Sequence, residues 1–134
     1  MTEKLFSPGQ ANAALPLVRQ IVLDIVGHQQ RLVELVGGYQ AKKKEPGVSQ
    51  IVLNEAKQEL QNVTIQRDAC VAELADLGVQ IKDVATGLID FPAKLDGEPV
   101  LLCWRLGEAR VEFFHTEVDG FGGRRPIPEP VHAN

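Results

Sequence analysis

Residues 87–116 read GLIDFPAKLDGEPVLLCWRLGEARVEFFHT, and apolar residues recur at every second position along most of this segment. A period of two is typical of β-strands that bury one face. Asp96-Gly97 is a strong signal for a two-residue hairpin turn, because both residue types tolerate positive φ. This turn joins two strands, and Gly107-Glu108 then turns into a third. The segment therefore predicts a three-stranded antiparallel meander.

The two-residue turn also predicts which residues face each other, with Phe91 opposite Leu102 and Asp90 opposite Cys103. Alternation then separates an apolar face from a half-charged face. The apolar face, expected to pack on helices, comprises Ile89, Phe91, Val100, Leu102, Trp104, Leu106, Val111 and Phe113, with His115 at its end. The half-charged face comprises Leu88, Asp90, Leu101, Cys103, Arg105, Glu112 and Phe114.

Upstream of the meander, apolar residues recur in steps of three and four, which is typical of amphipathic helices. Ser7, Pro8 and Gln10 form a capping-box start, and Gly37-Gly38 interrupts the apolar stripe, so the first helix is predicted over 8–38.

The second helix is predicted over 49–77. A short lysine-rich loop separates the two helices, which favours an antiparallel hairpin. Gln29 and Arg67 interrupt the two apolar stripes, and we interpret them as register-setting residues, with Arg67 facing Asp24.

Length and composition limit the fold. A chain of 134 residues suits one domain rather than two, so we expect a single domain over 1–134. Its predicted class is α+β: a long antiparallel helical hairpin packed on a small three-stranded antiparallel β-meander over 87–116, followed by an extended C-terminal arm over 117–134.

Charge and hydropathy limit the partners and the compartment. The net charge of −4 argues against nucleic-acid binding. The N-terminus lacks a secretory pattern and no apolar run is long enough to span a membrane, so we expect a cytoplasmic protein without membrane contact. Cys70 and Cys103 lack metal-site spacing and are expected to be reduced, mostly buried thiols.

Several segments resemble a known family. LFSPGQANAALP at the N-terminus, and GLIDFPA, DGEPVLLCWRLGE, FFH and GFGGRRPI in the C-terminal third, are similar to the motifs of an uncharacterised bacterial family, domain of unknown function 2203. The resemblance spans nearly the whole chain. It implies a small bacterial cytosolic protein, and it implies no activity or substrate.

The charged residues of the C-terminal third form the candidate site. We expect a cluster made of Asp90, Arg105, Glu108, Glu112 and His115. One interpretation is a salt-bridged surface in which Arg105 pairs with Asp90 or Glu112. The alternative is acid–base chemistry, in which two neighbouring carboxylates have different pKa values and Arg105 holds an anion.

Two further arrangements could bind ligands. His115, Glu117 and Asp119 have the spacing H-x-E-x-D and are weak candidates for a divalent metal. Arg124 and Arg125 follow a glycine-rich turn and are candidates for binding an anion. The alternative for Arg124 is a bridge to a carboxylate of the sheet.

These observations leave the biochemical function unknown. The chain has no nucleophile elbow, phosphate loop or dinucleotide fingerprint. We therefore favour an interaction or structural role through self-association as a homodimer, since a two-helix hairpin and a small sheet cannot cover their own apolar surfaces. The alternative is a metal- or anion-binding protein or a small enzyme that uses the charged face and the glycine-arginine arm.

Overall fold

Two long helices and a five-stranded sheet make up residues 4–128, the part of the chain that the computed structural model describes. The helices are α1, Pro8–Lys43, and α2, Gln50–Asp76, and they pack against each other as an antiparallel hairpin. The predicted α+β class and helical hairpin are confirmed. The end of the predicted arm, residues 129–134, lies outside the described residues.

The start of α1 follows the predicted capping box. The Ser7 hydroxyl accepts a hydrogen bond from the backbone N–H of Gln10, and the Gln10 side chain accepts one from the backbone N–H of Ser7. From this start α1 continues for 36 residues, which gives a length of about 54 Å.

The predicted end of the first helix at Gly38 is wrong, because α1 continues to Lys43. Glycine lowers helix stability, but a glycine whose φ stays negative can continue a helix. Gly37 and Gly38 have no positive φ, and the first glycine with positive φ is Gly47, in the loop after α1. Lys42 and Lys43 occupy the last turn, where positive charge is favourable against the helix dipole.

The longer α1 also changes the partner of Arg67. Its Nη1 donates to Oε1 of Gln29 at 3.0 Å, and its Nη2 contacts Asp68, so the predicted bridge to Asp24 is wrong. Adding about a turn and a half to α1 moves the loop along the chain. Arg67 then lies beside Gln29, a later residue of α1 than Asp24. The two polar residues of the apolar stripes therefore pair with each other.

The sheet is antiparallel throughout, with its strands in chain order. Its strands are β1, Gln80–Asp83; β2, Leu88–Leu95; β3, Glu98–Arg105; β4, Phe113–His115; and β5, Arg125–Pro126. The hairpin register is as predicted, with Phe91 opposite Leu102 and Asp90 opposite Cys103. The predicted three strands correspond to β2, β3 and β4. Two edge strands extend them, and both are too short to show a period of two.

The predicted faces of the third strand are wrong. β4 pairs so that Phe113 faces Cys103 and His115 faces Leu101, which places both on the Asp90 face of the sheet. Phe114 instead packs against the helix-side core. Val111 is also buried in that core, so alternation is interrupted between Val111 and β4. Counting alternate residues forward from Val111 therefore assigns the residues of β4 to the wrong faces of the sheet.

The main core lies between the sheet and the base of the hairpin. Trp104 and Phe91 are fully buried in it, together with Leu74 of α2. The buried residues of α1 all lie between Ala11 and Ile25, so the rest of the hairpin extends beyond the core. Within the described residues, no helix is both long and apolar enough to cross a membrane.

Candidate functional site

A buried pair of ionisable side chains lies on the sheet face that points away from the helices. Asp90 of β2 is 1% exposed and His115 of β4 is 4% exposed. Nε2 of His115 lies 3.0 Å from Oδ1 of Asp90, and Nδ1 of His115 lies 2.8 Å from the carbonyl oxygen of Thr116. Both ring nitrogens are therefore held by oxygen atoms.

These contacts determine where the protons lie. A carbonyl oxygen only accepts, so Nδ1 carries a hydrogen and donates it to Thr116. Nε2 and the Asp90 oxygen then share one proton, because a hydrogen bond between them requires one donor. The pair is either an imidazolium with a carboxylate or a neutral imidazole with a carboxylic acid. Its net charge is zero in both states.

The surroundings of Asp90 act on its protonation in opposite directions. Burial raises the pKa of the Asp90 carboxyl above its usual value, because the charged form loses its hydration. The hydrogen bond and charge of His115 oppose this shift, and so do the charges of Lys82 and Arg124. A carboxyl with a raised pKa beside an imidazole can exchange a proton with a bound molecule.

Cys103 lies beside this pair, directly across from Asp90 in the sheet. One ligand atom from each of Asp90, Cys103 and His115 lies within 4.8 Å of the other two. Burial raises the pKa of the Cys103 thiol to about 11, so the group is a thiol rather than a thiolate at neutral pH. The hairpin register predicts that Cys103 faces Asp90, but spacing along the chain does not show that it belongs to the site.

A cavity of about 400 Å³ opens in front of the pair. It gives Asp90 and His115 access to solvent although both are buried in the sheet. Its lining comes from β1, β2, β3, β4 and the segment after β4: Gln80, Lys82, Leu88, Asp90, Leu101, His115, Glu117, Gly120 and Phe121.

The predicted charged cluster divides into separate groups. Asp90 and His115 form the buried pair, whereas Glu108 pairs with Arg124. Arg105 is exposed and lies over the Phe121 ring, so it does not make the predicted bridge to Asp90 or Glu112. Glu112 is also exposed, and its backbone carbonyl accepts from the N–H of Ile127.

Arg124 bridges to a carboxylate, the alternative considered for it. Its two terminal nitrogens donate to the two carboxylate oxygens of Glu108 at 2.7 and 3.0 Å. Its guanidinium carbon also lies 4.1 Å from the centre of the Phe113 ring and 4.6 Å from that of the Phe121 ring. Burial acts to raise the pKa of Glu108, but the Arg124 hydrogen bonds and the backbone N–H of Arg105 outweigh it and lower that pKa. The charge of Arg124 is therefore largely compensated.

The remaining candidates lie at the rim of the cavity or beyond it. Glu117 lines the cavity together with His115. Asp119 lies in the following turn, where its backbone N–H donates to the Thr116 hydroxyl and its carboxylate is 3.9 Å from Arg125. Arg125 is exposed and lies over the Phe114 ring. The spacing H-x-E-x-D therefore brings His115 and Glu117 to the cavity and leaves Asp119 paired with Arg125.

Comparisons with curated proteins and with solved structures give no match for the chain. A sequence-family model described as "Uncharacterized conserved protein (DUF2203)" matches residues 4–127. This match confirms the family resemblance of the sequence motifs, and the description of the family carries no activity. Because the match covers nearly all of the sequence, the chain belongs to the DUF2203 family.

Proposed function

We propose that this protein is an assembly module that forms a homodimer through the distal part of its helical hairpin, residues 26–65. The exposure of apolar side chains there carries the proposal. Val33 is 62% exposed, Ile51 is 70% exposed and Ile65 is 66% exposed. Val63 is the one buried side chain between residues 26 and 65. Two helices alone leave such apolar residues in water, which favours association with further helices.

A second copy of the same hairpin suits this surface. Ile51 and Ile65 are about four turns apart, so they lie on the same face of α2. Val33 and Val36 are one turn apart on α1 and are also exposed. Two hairpins packed together would form a four-helix bundle, in which these faces are removed from water.

The charges along the hairpin favour an antiparallel arrangement of the two copies. Lys42, Lys43 and Lys44 lie at the tip. The half of α2 near the sheet carries Asp76, which is exposed, and Asp68, which also contacts Arg67. A two-fold axis across the hairpins would place the tip of each copy near the base of the other. The two-fold symmetry makes this contact occur twice, so the lysines of each copy lie near the acidic residues of the other.

Analytical ultracentrifugation tests the dimer directly. We expect a species of about twice 14.7 kDa at micromolar concentration. The double variant Ile51→Glu/Ile65→Glu should sediment as a monomer with an unchanged circular dichroism spectrum, because both residues are exposed. Val118→Glu is the matched control, since Val118 is 95% exposed and lies outside the hairpin. A wild-type protein that remains a 14.7 kDa species would refute the proposal.

We also propose that the protein acts in the bacterial cytoplasm. Cys70 and Cys103 are free thiols, and free cysteines are typical of proteins in reducing compartments. The bacterial source rests on the resemblance to the family motifs. Trapping thiols with an alkylating reagent in the native organism tests the compartment, because both cysteines should be recovered reduced. Recovery of oxidised cysteines would argue against a cytoplasmic location.

A further inference from the structure

We propose that Asp90, Cys103 and His115 form a binding site for a single divalent transition metal ion, and that zinc suits their donor atoms best. The three residues come from the adjacent strands β2, β3 and β4. They offer one carboxylate oxygen, one sulfur and one imidazole nitrogen, all within 4.8 Å of one another. This site is separate from the hairpin and does not depend on the proposed dimer.

The distances suit a tetrahedral ion. Zinc bonds of about 2.0–2.3 Å to oxygen, nitrogen and sulfur place neighbouring ligand atoms roughly 3.5 Å apart. Nε2 of His115 and Oδ1 of Asp90 are already 3.0 Å apart, and no two ligand atoms of the group lie more than 4.8 Å apart. The excess over about 3.5 Å is at most about 1.3 Å, so we expect side-chain rotation to bring the three atoms around one ion with the strands left in place.

The histidine is oriented as a metal ligand requires. Its Nδ1–H donates to the Thr116 carbonyl, which fixes the ring and directs Nε2 toward Asp90 and Cys103. Zinc-binding histidines characteristically donate their second ring N–H to a carbonyl or carboxylate in this way. The backbone of the following residue thus supplies the orientation that a ligand needs.

Metal binding also preserves the charge of the buried site. Without an ion, the site holds two exchangeable protons, one shared by Asp90 and His115 and one on the Cys103 thiol. Binding forms bonds to a carboxylate oxygen, a thiolate sulfur and a neutral imidazole nitrogen, and it releases both protons to solvent. The two negative ligands then balance the two positive charges of the ion. Both states are neutral, which limits the cost of burial.

Two cations and two anions surround these ligands. Lys82 lines the cavity in front of Asp90, and Glu117 lines it too. Arg124 contacts the Cys103 carbonyl, and its charge is compensated by Glu108. Glu108 therefore compensates the charge of Arg124, and Glu117 lines the same cavity as Lys82.

The cavity gives the ion an open side. Asp90 and His115 both line it, so a water molecule or the Glu117 carboxylate can reach a fourth coordination position. Three protein ligands and one exchangeable position are typical of catalytic zinc sites, whereas four protein ligands are typical of structural ones. The arrangement therefore predicts a metal that can exchange its fourth ligand.

Cobalt(II) titration of the chelator-treated full chain tests the site, because cobalt–thiolate bonds give a charge-transfer band in the near ultraviolet. We expect one equivalent to bind, to produce this band and to release about two protons in weak buffer at neutral pH. Zinc should displace the cobalt. Cys70→Ala is the matched control, because Cys70 lies on α2 and should leave the band unchanged. Cys103→Ala should abolish the band and weaken binding about a hundredfold or more.

X-ray absorption of the zinc-loaded wild-type protein keeps the test independent of how well variants fold. One sulfur ligand with nitrogen and oxygen ligands would support the site. Failure to bind one equivalent of either ion would overturn the proposal. A zinc coordination shell without a sulfur ligand would overturn it too. A cobalt band that persists in Cys103→Ala would overturn it as well.

Discussion

Asn12 of α1 forms two hydrogen bonds with the backbone of Val111, the residue two positions before β4. Its Nδ2 donates to the Val111 carbonyl at 3.1 Å, and its Oδ1 accepts from the Val111 N–H at 2.8 Å. The Asn12 amide thus makes the two hydrogen bonds that a neighbouring strand would make with the backbone of Val111. The contact fixes the chain just before β4, and β4 carries His115 of the buried pair.

Removing this amide should destabilise the protein strongly. Val111 is buried, so Asn12→Ala leaves a backbone N–H and a carbonyl without their partner, which costs about 2–4 kcal/mol of the free energy of unfolding. Urea denaturation measures the loss. Asn54→Ala is the control, because Asn54 is exposed on α2 and accepts from Gln50 at the surface. Equal losses for the two variants would contradict the role of Asn12.

The same contact explains why the faces of β4 could not be predicted from local periodicity. Alternation is a property of a continuous strand, and the segment between β3 and β4 is not one. Val111 is turned into the core by a partner on α1 that is distant along the chain. In contrast, Asp96 and Gly97 set the register of β2 and β3 through their own φ angles of 53° and 80°. That register could be predicted because its cause is local.

The contacts of the candidate site also differ in whether their cause is local in the sequence. The pairing of Asp90 with Cys103 follows from the hairpin turn and was predicted. The contact between Asp90 and His115 depends on how β4 joins the sheet, and the pairing of Glu108 with Arg124 depends on the fold of the arm. Both contacts are set by tertiary packing. The spacing of residues along the chain therefore predicts which residues belong to the cluster but not which of them pair.

The bridge between Glu108 and Arg124 should make stability depend on pH at the acidic end. Glu108 has a lowered pKa in the folded protein, relative to an ordinary value of 4.5. The folded state therefore binds fewer protons than the unfolded state at this group. The stabilisation is present above about pH 4.5 and is lost as the pH falls through the lower, folded pKa.

Glu108→Gln should therefore lose about 1–3 kcal/mol of unfolding free energy at pH 7, because a partly buried charged hydrogen bond becomes a neutral one. The difference from wild type should shrink below pH 4.5. Urea titrations over this range measure it. Glu98→Gln removes the same charge from an exposed position at the start of β3 and should be nearly neutral. A Glu108→Gln deficit that grows as the pH falls would contradict this account.

Gly87 lies in the turn between β1 and β2, where the backbone closely approaches Val22 of α1. Its φ is +74°, and a Cβ there would lie 2.8 Å from Cγ1 of Val22 and 2.9 Å from Cβ of Leu106. Gly87→Ala should therefore combine backbone strain of about 1–2 kcal/mol with overpacking of about 1–3 kcal/mol.

Gly107→Ala separates these two effects. Gly107 also has a positive φ, but a Cβ there would have no heavy atom within 4 Å. Its substitution should cost only the backbone strain. Thermal unfolding of the two variants measures the difference, and a Gly107→Ala variant as unstable as Gly87→Ala would show that packing against Val22 and Leu106 contributes little.

The distal hairpin should show concentration-dependent hydrogen exchange if it is the dimer interface. Because Val63 is its one buried side chain, its backbone amides should open locally at a small free-energy cost in the monomer. Exchange measured by mass spectrometry should therefore be faster for residues 26–65 than for residues 11–25 in dilute solution. Raising the protein concentration should slow exchange in 26–65 alone, because only the dimer covers this surface. The amides of β2 and β3 serve as the internal control, since their strands are buried in the monomer. Exchange in 26–65 that does not respond to concentration would mean that this surface is not where two copies meet.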